Sequence, residues 1–115
     1  MGRKVERSRL CHYCGMPTYG EDHVVPKSVR FLYPPIEPVT VPSCFECNGA
    51  LGSKYFFTLE ERKSWVKQHL RLKYWSDLHM PDWSSADLAV IDPHLADHIK
   101  AMLVRRDIIR ARLAY

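Results

Sequence analysis

The chain has 115 residues, 46% of them apolar and 26% charged, with a net charge of +4 and a pI near 9.0. Those are the proportions of a soluble globular protein of one domain, and no apolar run approaches the roughly 20 residues a bilayer-spanning helix needs, so a membrane protein is excluded. A domain this small buries well under three quarters of its unfolded surface, so a bound metal would add to a modest core.

In chain order, residues 1–9 carry Arg3, Lys4, Arg7 and Arg9 without periodicity and read as a flexible basic arm. They lack the apolar core of a secretory signal, which predicts a cytoplasmic protein whose cysteines stay reduced. Leu10-Cys11-His12-Tyr13-Cys14-Gly15 is a metal knuckle, its glycine placed for a tight turn. Met16-Pro17-Thr18-Tyr19-Gly20 reads as a turn leading to Glu21-Asp22-His23-Val24-Val25-Pro26-Lys27-Ser28. Its two valines and following proline favour extended chain, so His23 is expected on or beside a short strand. After a proline-stiffened loop, Val39-Thr40-Val41 predicts a second short strand, then a second knuckle at Cys44 and Cys47, then a helix from about Asn48.

Residues 57–115 read as helical. Thr58-Leu59-Glu60-Glu61 has the form of a capping box, and Trp65, Val66, His69, Leu70, Leu72 and Trp75 recur near helical spacing, predicting an amphipathic helix to about residue 76. Met80-Pro81 breaks it, and Ser84-Ser85-Ala86-Asp87 starts a short helix ending near Asp92. In the last helix Asp92 caps, Pro93 takes the first position, and Leu95, Ile99, Met102, Leu103, Ile109 and Leu113 form a seam. That seam packs either on the preceding helix or on a second subunit as a homodimer.

Zinc takes four tetrahedral ligands, and each Cys-x-x-Cys turn offers two thiolates to one side of an ion. Cys11, Cys14, Cys44 and Cys47 therefore predict one structural zinc per chain, closed to catalysis because no coordination position stays open. The 29 residues between Cys14 and Cys44 exceed a simple zinc ribbon, so something is built between the knuckles. Asn48 directly follows the ligand Cys47. If the two strands pair and the helix packs over them, Asp22, His23 and Asn48 converge, with Asp22 and Asn48 as two oxygen donors for Mg²⁺ or Mn²⁺.

Asp22-His23-Val24-Val25-Pro26 and Cys44-Phe45-Glu46-Cys47-Asn48 resemble the two motifs of the HNH nucleases, and Cys47-Asn48-Gly49-Ala50-Leu51-Gly52 is similar to the recombination endonuclease VII branch. The resemblance covers about residues 10–56. It implies an α+β fold, a small zinc-stapled ββα-metal module followed by amphipathic α-helices. It also implies a DNA endonuclease in a bacterial or phage-infected cell, with His23 as general base, Asp22 and Asn48 holding the catalytic ion, and 5′-phosphate and 3′-hydroxyl products. Val39 stands where the family commonly has a bracing asparagine. Lys27, Arg30 and Lys54 flank the site as candidate phosphate contacts, and basic residues crowd both chain ends, among them Lys100, Arg105, Arg106, Arg110 and Arg112. The rival readings are a non-catalytic zinc finger that binds nucleic acid, and a nuclease restricted to branched DNA or RNA.

Overall fold

Residues 8–24 and 40–115 are described by the computed structural model; residues 1–7 of the basic arm, Lys27, Arg30 and Val39 lie outside the described residues. Strand β1 (Arg9–Leu10) pairs antiparallel with β2 (Pro17–Thr18), and β3 (Glu21–His23) with β4 (Thr40–Pro42). The second pairing sets Asp22 against Val41 and His23 against Thr40. Strands this short have few ladder bonds of their own, so bonds from outside hold them. His12 N donates to Pro42 O at 2.8 Å, Ser43 N to Gly20 O at 3.0 Å, and Thr18 Oγ1 to Ser43 O at 3.1 Å. A Cβ at Gly20 would stand 2.6 Å from Ser43 O, so glycine is what lets the two backbones approach.

The β1–β2 hairpin revises the sequence reading at both ends. Arg9 belongs to a strand and pairs with Glu21 at 2.8 Å, rather than to a loose arm, and the expected turn at 16–20 contains β2. Between these strands the knuckle closes with Cys11 N on Met16 O at 2.7 Å and Gly15 N on Cys11 O at 2.9 Å, and Gly15 takes φ +76°.

Helix α1 (Phe45–Leu51) begins three residues earlier than expected, with Cys44 as its cap, and ends at Gly52 with φ +55°. The second knuckle is thus the first turn of a helix, and its Asn48 N bonds back to Cys44 O at 3.0 Å. In α2 (Leu59–Lys73) Thr58 Oγ1 accepts from Glu61 N, as the sequence predicts. Glu61 reaches back to Phe57 N at 3.2 Å, one residue before the cap, so the box is offset.

The inward row of α2 also differs from the apolar stripe. Arg62, Val66 and Leu70, at i+4 spacing, are buried; His69, Leu72 and Trp75 are exposed. The helix stops at Tyr74, and α3 (Trp75–Leu78) is a separate short turn. Ser84 and Asp87 form a complete capping box on α4 (Ser85–Ala89), and Asp92 Oδ1 accepts from His94 N at the start of α5 (Pro93–Ala114). Helix α5 packs against α3, α4 and α2; Ile99 and Ile109 of its expected seam are buried, whereas Leu95 is exposed.

Polar groups join the helices to the rest. Lys67 Nζ donates to the Arg112 and Leu113 carbonyls at 2.8 Å each, a cation on the negative end of α5. Glu46 of α1 receives Lys73 at 2.6 Å, Arg112 at 2.5 Å and the Tyr74 hydroxyl. Arg105 pairs with Asp77 and Arg106 with Asp82, each at 2.7 Å. Three of the five basic residues that crowd the C-terminal end, Arg105, Arg106 and Arg112, are therefore engaged in ion pairs within the chain.

The core lies where β3, β4, α1 and α2 meet, around Tyr13, Val24, Val41, Leu51, Val66, Leu70 and the cysteines. The architecture is a small α+β arrangement of short antiparallel strand pairs and helices around a four-cysteine cluster. No helix among the described residues is long and apolar enough to cross a membrane.

Candidate functional site

The four cysteines come from two local turns that the strand bonds bring together. Cys11, Cys14 and Cys47 are buried, Cys44 is half-buried, none is in a disulfide, and their sulfurs all lie within 4.8 Å of one another. Sulfurs set 2.3 Å from a common tetrahedral centre stand about 3.8 Å apart; Cys14 Sγ and Cys44 Sγ are separated by 3.7 Å. Charge points the same way. The neighbouring thiols pull Cys11 far below the ordinary thiol range, and the Cys11 and Cys14 sulfurs push Cys44 and Cys47 far above it. Cys14 is lowered to about 6, so two of the four thiols resist ionising beside the other two, whereas a divalent cation at the centre stabilises all four as thiolates. The donors, their spacing and their burial fit zinc, and this is the only group of three or more such side chains among the described residues that shares one ion-sized space.

Beside the cluster, a cavity of about 360 Å³ is lined by Glu21, Asp22, His23, Asn48, Gly52, Ser53, Lys54 and Arg62. Asp22, His23 and Asn48, singled out from sequence, thus border one space. Asn48 Nδ2 donates to Glu21 O at 3.1 Å, tying the second knuckle to the strand that carries Asp22 and His23. Neighbours on a strand point to opposite faces, and here Asp22 is buried while Glu21 and His23 are exposed. Lys54 borders the cavity, but its ammonium sits 3.6 Å from the centroid of the Trp65 ring.

Two partners of Asp22 escaped the sequence reading. Tyr13 OH donates to Asp22 Oδ2 at 2.5 Å, and Arg62 Nη2 donates to the same oxygen at 2.8 Å. Arg62 Nε donates to Tyr13 OH at 3.2 Å, closing a triangle, and Arg62 Nη1 donates to Lys54 O at 3.2 Å. Burial and the Asp22 carboxylate raise the Tyr13 phenol well above its usual range. Burial opposes charge on Arg62, yet its bonds to Tyr13 and Asp22 outweigh that and raise it. Tyr13 sits between two predicted zinc ligands, and that position was its only signal; Arg62 had none. Comparison with protein families, with curated proteins and with solved structures finds no match.

Proposed function

We propose that this chain is a metal-dependent DNA endonuclease of the HNH type. What supports the reading is one observation: Asp22, His23 and Asn48 border a single cavity, and Asn48 is bonded to the strand bearing the other two. The donor set suits a hard divalent ion such as Mg²⁺ or Mn²⁺. Asp22 keeps Oδ1 clear of the two bonds taken by Oδ2, and Asn48 spends its amide nitrogen on Glu21, which leaves its amide oxygen. When bound, such an ion supplies positive charge to the phosphate oxygens and the departing 3′ oxygen.

The chain's own groups do the rest. The exposed His23 imidazole accepts a proton from water as the water oxygen attacks phosphorus. The phosphorus–O3′ bond breaks, leaving a 5′-phosphate, and O3′ takes up a proton to become the 3′-hydroxyl. Asn48 restrains the strand, and the cysteine cluster restrains Asn48 through Cys47.

A second reading, a zinc-stapled binding module without catalysis, draws on a different observation. Asp22 is fully engaged at Oδ2 in a buried ion pair, as a purely structural carboxylate would be. Plasmid relaxation separates the two. Purified protein with Mg²⁺ or Mn²⁺ should nick supercoiled DNA, and chelation of the divalent ion or His23→Ala should abolish nicking while the zinc content, measured in parallel, stays constant. Binding without strand breaks across supercoiled, linear and branched DNA and RNA would select the second reading.

A further inference from the structure

Arg62 lies outside the cysteine-bounded stretch, and the hydrolytic scheme above does not call on it. Yet Arg62 and Tyr13 are the two largest fully buried side chains among the described residues, and both converge on one carboxylate oxygen. An arginine enters a protein interior only with its donors paired. Here Nε, Nη1 and Nη2 each have a partner, on the first knuckle, on the segment after α1 and on β3 respectively. Asp22 and Lys54, both bonded by this guanidinium, also border the cavity. Two donors on Oδ2 leave the carboxylate little freedom to rotate, and neither bond engages Oδ1.

We propose that Arg62 and Tyr13 are positioning residues that clamp Asp22 Oδ2 and present Oδ1 to the divalent ion, which makes α2 an integral part of the site. The inference rests on the metal-dependent reading above. It places the functional boundary beyond residue 56, because the sequence-defined module lacks Arg62. It also links the cysteine cluster to the site a second time, through Tyr13 as well as through Asn48.

Mn²⁺ binding to the full-length, zinc-loaded chain tests this without cleavage, by following the electron paramagnetic resonance signal of the free ion. Wild type, Asp22→Ala, Arg62→Lys and Tyr13→Phe are compared, with folded fraction and zinc content measured on the same samples. Asp22→Ala should lose the site. Arg62→Lys and Tyr13→Phe should retain zinc and bind Mn²⁺ about 10–100-fold more weakly, the usual effect of removing a partner that orients a metal ligand. A merely structural role lowers the folded fraction but leaves the affinity of folded molecules unchanged. Should Arg62→Lys not fold, Tyr13→Phe decides, because it alters no charge. Wild-type affinity in the clamp variants, with the site still dependent on Asp22, overturns the clamp alone. Absence of an Asp22-dependent Mn²⁺ site in the wild type overturns both the clamp and the metal-dependent chemistry.

Discussion

Replacing Asp22 by alanine should strongly destabilise the fold, for a reason separate from catalysis. The carboxylate accepts from Arg62 Nη2 at 2.8 Å and Tyr13 OH at 2.5 Å, and the Arg62 side chain is only 1% exposed. Two hydrogen bonds to a charged group contribute about 1.5–3 kcal/mol each. Stranding a buried guanidinium costs about 3–5 kcal/mol, which agrees with their sum. Against a total stability of about 5–15 kcal/mol, that is a large fraction. Arg62→Met should cost a similar amount by stranding Asp22. The double variant should be less destabilised than the two losses added together, by about 2–3 kcal/mol, because it leaves neither charge unpaired. Urea unfolding followed by circular dichroism, at one buffered free-zinc concentration, measures all three, since zinc binding is linked to folding. Glu21→Ala serves as control: its pair with Arg9 is half exposed on both sides, so its loss should cost about 0–1 kcal/mol. A cost below about 1 kcal/mol for Asp22→Ala, or additivity within about 0.5 kcal/mol, would refute the reasoning.

Metal analysis of freshly purified protein should find one zinc per chain, and less than about half an equivalent would count against the cluster as a zinc site. Chelation should abolish the cooperative unfolding transition, and an unchanged melting temperature would refute the coupling of the cluster to the fold. Glu46 carries a different signature. Burial opposes its ionisation, but Lys73, Tyr74 and Arg112 together hold its carboxyl down at about 2 from the usual 4.5. Since the folded-state value is depressed, the stability it contributes is fully present above about pH 5 and is lost as pH falls towards 2. Glu46→Gln should therefore be less stable than wild type by about 1–3 kcal/mol at neutral pH, solvent screening at the half-exposed Lys73 taking part of the full shift, with the gap closing in acid, as read from paired denaturation curves. A gap that does not change with pH would refute the assignment.

The sequence by itself determined what depends on short spacing. Two Cys-x-x-Cys turns, the extended Asp22-His23 segment ahead of Val24 and Val25, and the caps at Thr58, Ser84 and Asp92 each involve residues a few positions apart, so local chemistry specifies them. Asn48 was legible for the same reason, being covalently attached to Cys47. Other features were decided by tertiary structure alone. Arg62 bonds Asp22 across 40 positions and Tyr13 across 49, and Arg112 meets Glu46 across 66. No periodicity announces such pairs. An apolar search passes over the stripe of α2 because Arg62 occupies its first inward position, and a tally of basic residues takes the buried Arg106 and Arg112 for surface charges. A charged side chain is stable in an interior only when its partner is brought to it, and that partner is chosen by the packing of α1, α2 and α5, not by the residues beside it in the chain.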